Sequence, residues 1–146
     1  MRERGFTLLE MMIVLVLAGL MLALVPPLFS GRTSTAELKA AARELAAALR
    51  FARGQAITRQ RETVLTLDTE RRRYSVSGRE RSRRLPKGIG LKLITARSEQ
   101  IATHRASIRF FPDGSATGGQ ITLSGGKQSY IVDINWLTGR VAIYNG

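Results

Sequence analysis

The chain has 146 residues, no cysteine, one histidine and a formal net charge of +12. This length allows one modest globular core. The lack of cysteine excludes disulfides and thiol chemistry, and a single histidine excludes both a multi-histidine metal site and acid–base catalysis by two imidazoles. We therefore predict that the protein is not an enzyme and uses no cofactor or metal, and that its positive charge favours polyanionic partners.

The N-terminus combines a short basic leader with a long apolar segment. Residues 1–5 contain two arginines, and in residues 6–29 the only charged side chain is Glu10. Twenty-four helical residues are enough to cross a bilayer at about 1.5 Å per residue. We predict a transmembrane helix over 6–29 that ends at Pro26 and Pro27. The leader arginines place the N-terminus in the cytoplasm and the rest of the chain in the periplasm.

Glu10 is an unusual residue in a segment that is predicted to cross the membrane. An ionised carboxylate at mid-membrane costs roughly 2.5 to 3.5 kcal/mol on insertion scales, so it requires a partner or a task. Cleavage after Gly5 would give Phe6 a cationic α-amino group about 6 Å from Glu10 along a helix, able to neutralise it within or between chains. The alternatives are a secretory signal peptide, for which no Ala-x-Ala-like site follows, and a plain anchor with an incidental acid near the helix N-terminus.

The sequence Gly-Phe-Thr-Leu-Leu-Glu at 5–10, followed by Met-Met-Ile-Val-Leu-Val-Leu, resembles the type III signal of type IV pilins and type II secretion pseudopilins. The resemblance implies that a prepilin peptidase removes leader 1–5 by cleaving between Gly5 and Phe6. It further implies N-methylation of Phe6 and the use of Glu10 to set the register of subunits during assembly.

A second, amphipathic helix is predicted over 35–57, with Thr35 as its N-cap. Its apolar side chains recur at intervals of three and four residues: Leu38, Ala42, Leu45, Leu49, Ala52 and Ala56. The alanines suit close packing on a core and equally suit a contact surface for neighbouring subunits in a filament. The sequence alone does not distinguish between these two uses of the alanines.

Beyond residue 61 the apolar pattern changes to alternation, which predicts short β-strands. The alternating positions are 64–67, Tyr74 and Val76, Ile89 to Leu93, Ile108 and Phe110, Ile121 and Leu123, Tyr130 to Trp136, and Val141 and Ile143. Glycine-containing turns separate them as in antiparallel hairpins. We predict a β-rich domain over 58–146 in which Trp136 continues a strand and faces the core, with a partner contact as the alternative use of this side chain.

Two segments, Phe-Phe-Pro-Asp-Gly-Ser-Ala-Thr-Gly-Gly at 110–119 and Asp-Ile-Asn-Trp-Leu-Thr-Gly-Arg-Val at 133–141, are similar to the GspH/FimT pseudopilin domain. The resemblance implies an α+β, type IV pilin-like fold, in which a long N-terminal transmembrane and amphipathic helix packs on a C-terminal antiparallel β-sheet head. The Trp-Leu-Thr-Gly-Arg-Val ending favours the GspH branch, the minor pseudopilins of type II secretion.

Membership of that branch would make the chain an inner-membrane structural subunit of the periplasmic pseudopilus. Its partners would be other major and minor pseudopilins, the prepilin peptidase, the inner-membrane secretion platform and the lipid bilayer. The alternative is a FimT-like minor type IV pilin that binds DNA during natural transformation.

A cluster of cations bears on this choice. Eight of them lie within seventeen residues that contain one acid, Glu80. We call them the basic cluster: Arg71, Arg72, Arg73, Arg79, Arg81, Arg83, Arg84 and Lys87. In one interpretation the cluster is a solvated hairpin and loop that dock acidic faces of other subunits or anionic lipid headgroups. In the other it follows nucleic-acid phosphates, although Tyr74 is the only aromatic residue among them for base stacking.

Overall fold

The structure, a computed structural model, describes residues 6–24, 34–95 and 100–146. The chain divides into two compact units, Met1–Arg32 and Thr33–Gly146. The first contains helix α1, Leu8–Leu24. In the described part of the chain, neither α1 nor any other helix has the length and hydropathy of a membrane span. The predicted leader and the predicted helix end at Pro26 and Pro27 lie outside the described residues.

Helix α2, Thr35–Arg59, begins at the residue that was predicted to be its cap, so the observed cap lies one residue earlier. Ser34, and not Thr35, is the N-cap. Its hydroxyl accepts a hydrogen bond from the Glu37 amide at 3.1 Å, and the Glu37 carboxylate accepts one from the Ser34 amide at 3.2 Å. The prediction of Thr35 is wrong because only Ser34 has a glutamate three residues later to complete this capping box.

Nine strands follow in the described residues: β1 Thr63–Asp68, β2 Arg73–Val76, β3 Arg83–Arg84, β4 Gly90–Ile94, β5 Gln100–Ala102, β6 Arg105–Phe110, β7 Gly119–Gly125, β8 Gln128–Ile134 and β9 Val141–Asn145. They form two antiparallel sheets, one in the order β3-β2-β1-β6-β5 and the other in the order β4-β7-β8-β9. The predicted α+β class is confirmed. The antiparallel head contains two sheets, and β3 and β5 are additional to the predicted strands.

The core lies between α2 and both sheets, since α2 contacts β1 and β6 in one and β7, β8 and β9 in the other. The whole predicted apolar stripe of α2 is buried. In β1 the inward side chains Leu65 and Leu67 are fully buried and alternate with partly exposed ones. The periodicities of 3.6 and 2 therefore mark the core faces of these elements.

Trp136 does not belong to this core. Strand β8 ends at Ile134, and Trp136 is 66% exposed. The Asn135 side-chain oxygen accepts hydrogen bonds from the amides of Leu137, at 3.1 Å, and Thr138, at 3.0 Å. These bonds fold residues 135–138 into a turn, so the alternation of apolar letters continues past the end of the strand and the prediction of a core tryptophan is wrong.

Candidate functional site

Helix α1 presents apolar side chains to its surroundings along its described length. Phe6 is 75% exposed, and the leucines, methionines and valines between residues 8 and 21 are exposed as well. Glu10 lies in the first turn, where its amide donates to the Thr7 carbonyl oxygen at 3.1 Å. Its carboxylate forms no ion pair with any residue that the structure describes. Gly5, on the other side of the predicted cleavage site, lies outside the described residues.

The basic cluster begins in the turn between β1 and β2. The Asp68 carboxylate accepts a hydrogen bond from the Arg71 amide at 2.8 Å, and the Arg105 guanidinium donates to it at 3.2 Å. The bond from Arg71, together with Arg105, holds the pKa of Asp68 below its ordinary value despite partial burial of the carboxylate. Arg72 adopts a left-handed conformation with φ of 52° and is half-buried. Asp68 thus fixes the turn that carries the first cations.

The rest of the cluster follows β2. Strand β3 pairs with β2 so that Arg84 lies opposite Arg73, and Arg83 lies opposite Tyr74. This pairing places two arginines side by side at the outer edge of the five-stranded sheet. Apart from Arg72, all members of the cluster are exposed. The predicted hairpin between 64–67 and Tyr74 is present, and β3 extends it into a three-stranded edge.

A groove lies where this edge meets α2. Its volume is about 320 Å³. We call it the basic groove; its lining consists of Glu44, Ala47, Ala48 and Phe51 from α2, Tyr74, Ser75 and Val76 from β2, and Arg79, Arg81 and Arg83. Three of the eight cluster cations are thereby brought to one concave surface, and the other five lie outside its lining.

Contacts in the groove hold its wall in place. Arg83 Nη1 lies 2.7 Å from Glu44 Oε1, and the Tyr74 hydroxyl donates to the same oxygen at 3.2 Å. The Arg79 guanidinium stacks 4.0 Å from the centroid of the Phe51 ring, a cation–π contact. Burial, followed by the charge of Glu44 and the hydrogen bond to it, raises the pKa of Tyr74 to about 12. Tyr74 is therefore a neutral donor at any physiological pH.

Two further arginines of α2 hold the loops at the C-terminal motifs. Arg53 Nε donates to the carbonyl oxygens of Gly114, at 3.0 Å, and Thr138, at 3.1 Å. Arg50 donates to the Val141 carbonyl at 3.0 Å. The two sequence segments that resemble the pseudopilin domain, 110–119 and 133–141, are thus joined to each other through one helix.

Sequence reasoning missed Glu44, Phe51 and Arg53. A signal for the first two was present, because Glu44, Ala47, Ala48 and Phe51 follow the i, i+3, i+4, i+7 spacing of a second helix face beside the core stripe. Arg53 carried no such signal, because its partners are backbone carbonyls more than sixty residues away.

Comparisons with known proteins agree with this architecture. Residues 41–139 match the family model of the type II transport protein GspH, and residues 1–26 match the prokaryotic N-terminal methylation motif. The type II secretion system protein H of Xanthomonas campestris pv. campestris is 33% identical over 138 residues, which cover 94% of this chain and 81% of that protein.

Solved structures confirm the pilin-like fold. The minor pseudopilin EpsH of Vibrio cholerae has a TM-score of 0.61 at 14% identity, covering 78% of this chain and 98% of that one. The type IV minor pilin FimU of Pseudomonas aeruginosa has a TM-score of 0.57 at 18% identity, covering 73% and 92%. Together with the family match over most of the globular unit, these likenesses show that the chain belongs to the GspH family of type II transport proteins, the minor pseudopilins of type II secretion.

Proposed function

We propose that this chain is held in the inner membrane by residues 6–29, is cleaved after Gly5 and N-methylated on Phe6, and joins a periplasmic pseudopilus with other pseudopilins. The prepilin peptidase and the inner-membrane secretion platform are the further partners in this proposal. The observation that carries it is the presence, on one chain, of the methylation motif over 1–26 and the GspH match over 41–139. The family is one of structural subunits, so the work of this protein lies in assembly.

The chemistry of α1 supports an assembly role. Its exposed apolar side chains offer a surface for like helices, but in lipid such packing replaces equally apolar contacts and gives little net free energy. Glu10 is the only charge between residues 6 and 29. A pair between its carboxylate and the freed α-amino group of Phe6 in a neighbouring subunit would therefore fix the register of packing, because an unpaired charge there is strongly unfavourable.

Substitution of Glu10 tests this proposal. Glu10→Ala removes the carboxylate without adding charge, so the chain should still fractionate with the membrane but no longer co-purify with the other pseudopilins. Glu70→Ala, the same change at an exposed acid of the globular unit, is the matched control and should leave both properties intact. Undiminished co-purification of the Glu10→Ala chain would count decisively against the proposed register contact.

Processing has its own test. Gly5→Val should block cleavage, so that the intact mass of the membrane-extracted chain includes residues 1–5. The wild-type chain should instead begin at a methylated Phe6. A wild-type chain that retains Met1 would contradict the processing step whatever the assembly result.

The alternative of a DNA-binding, FimT-like minor pilin is not favoured. The family model and the curated relative both carry type II transport or secretion names. The likeness to the minor pilin FimU concerns the fold alone, at 18% identity.

A further inference from the structure

The basic groove combines an apolar surface with arginine side chains. Its floor is formed by Ala47, Ala48 and Phe51 of α2 and by Val76 of β2, and Arg79, Arg81 and Arg83 surround that floor. Ala47 is exposed, and Ala48 and Phe51 are half-buried. Ala48 and Phe51 also pack against the core, and Arg79 covers the Phe51 ring. The apolar surface open to another molecule is therefore Ala47 with the exposed part of Ala48.

The charge of the groove is unbalanced. The one acid in its lining, Glu44, is already engaged by Arg83 and Tyr74. Within the described residues, neither Arg79 nor Arg81 forms an ion pair, and the Arg79 guanidinium lies over the Phe51 ring. Arginine near a concave, partly apolar surface attracts carboxylates and binds them with paired hydrogen bonds. The groove therefore complements an acidic ligand.

The chemistry of the groove distinguishes among acidic ligands. Nucleic acid would need a free aromatic face for its bases, but Arg79 covers Phe51 and the Tyr74 ring is buried. A second copy of this chain, with its own net charge of +12, is disfavoured by repulsion. An apolar floor behind arginines instead fits a peptide in which one apolar side chain is flanked by carboxylates.

We propose that the basic groove docks an acidic peptide segment of a different pseudopilin, with one apolar side chain on Ala47 and Ala48 and its carboxylates on Arg79 and Arg81. This inference rests on the proposed function for the source of the peptide. The groove is then the surface by which this chain selects an acidic neighbour, while Glu10 sets the register of the apolar helices.

The binding experiment uses the full-length chain in a non-ionic detergent. The probe is a fluorescein-labelled peptide of alternating glutamate and glycine with one central leucine, and binding is read by fluorescence anisotropy at about 0.15 M salt, where the screening length is about 8 Å. Arg79→Gln with Arg81→Gln should weaken binding by about tenfold, the effect of losing charge-assisted contacts. Ala47→Trp, which fills the floor at an exposed helix position without changing charge, should weaken it to a similar extent.

The matched control is Arg71→Gln with Arg84→Gln, which removes the same charge from exposed cluster positions outside the groove lining. It should change binding by less than about twofold, because exposed charges at a distance are screened. Equal losses in the two double variants would show general attraction of polyanions and overturn the proposal. So would equal binding of a probe whose leucine is replaced by serine, or tighter groove-dependent binding of a single-stranded DNA oligonucleotide or of phosphatidylglycerol vesicles.

Co-purification from membranes connects the groove to its partner. The Arg79→Gln, Arg81→Gln chain should lose one acidic pseudopilin from the co-purified set, whereas the Arg71→Gln, Arg84→Gln chain keeps it. Retention of the full set by both would overturn the assignment of the partner. Failure of the Glu10 or Gly5 experiments would instead overturn the proposed function, and the peptide measurement is unaffected by that result.

Discussion

Arg53 Nε lies 3.0 Å from the carbonyl oxygen of Gly114, so a side chain of α2 is hydrogen-bonded to the loop after β6. The same nitrogen lies 3.1 Å from the carbonyl oxygen of Thr138 in the loop between β8 and β9. One donor therefore serves two turns, one that connects the two sheets between β6 and β7 and one within the four-stranded sheet. Each of the two C-terminal motifs therefore supplies a carbonyl oxygen to the same arginine.

Arg53→Met tests this role. Methionine keeps much of the apolar stem but removes the donor, and the two carbonyls lose their partner. We expect the free energy of unfolding to fall by about 1 to 3 kcal/mol, measured by urea unfolding of the full chain in detergent. Arg43→Met, at an exposed position of the same helix, should change it by less than about 0.5 kcal/mol. Equal effects of the two substitutions would show that the loss of stability does not come from the two hydrogen bonds of Arg53.

Gly139 should tolerate no side chain. Its φ is 64°, and an added Cβ would collide with the Gly114 carbonyl oxygen and the Arg53 side chain. Gly126 has nearly the same φ of 61° but open space around it. Gly126→Ala should therefore cost only the left-handed conformation, about 1 to 2 kcal/mol. Gly139→Ala should cost at least about 2 kcal/mol more because of overpacking, measured by the same unfolding assay. Similar costs of the two substitutions would show that the left-handed backbone conformation alone, and not overpacking, causes the loss at Gly139.

Residues with strong periodicity were predictable from the sequence. The stripe from Leu38 to Ala56 repeats over five turns, and the alternation in β1 and β6 to β9 is bounded by turn residues. Ser34 could also have been identified, because Glu37 lies at the capping-box spacing. These are local signals, and the structure follows them since nothing in the tertiary arrangement opposes them.

Features that depend on distant partners were not predictable. Arg83 and Arg84 have no strand pattern and form β3 only because β2 offers them an edge. The basic groove needs Glu44 and Phe51 of α2 to meet residues about thirty positions later in the chain. Trp136 was misplaced because a hydrogen-bonded turn can follow an apolar run without any change in hydropathy.

The corrected position of Trp136 has a measurable consequence. Trp136→Ala should lower the free energy of unfolding by less than about 1 kcal/mol, because an exposed side chain leaves no cavity. Phe110→Ala, at a fully buried position, should lower it by about 3 to 5 kcal/mol. Thermal unfolding of both variants beside the wild type compares the two. A loss at Trp136 as large as that at Phe110 would return the tryptophan to the core.

Tyr74 should make the stability of the protein depend on pH in the alkaline range. Its pKa is raised from 10.0 to about 12, first by burial and then by Glu44. The native state therefore holds the phenolic proton more tightly than the unfolded state, so this contribution to stability is complete below pH 10 and is lost as the pH rises toward 12. The phenolate absorbance of the wild type minus that of Tyr74→Phe reports the titration.

Glu44→Gln separates the two causes of this shift. It removes the carboxylate but leaves the phenol buried, so the pKa of Tyr74 should fall only part of the way toward 10.0, because burial is the larger cause. Tyr74→Phe, which has no phenol at this position, should lose stability less steeply than the wild type between pH 10 and 12. An ordinary tyrosine titration in the Glu44→Gln chain would assign the whole shift to the carboxylate, and an unchanged alkaline slope in Tyr74→Phe would remove Tyr74 from the linkage.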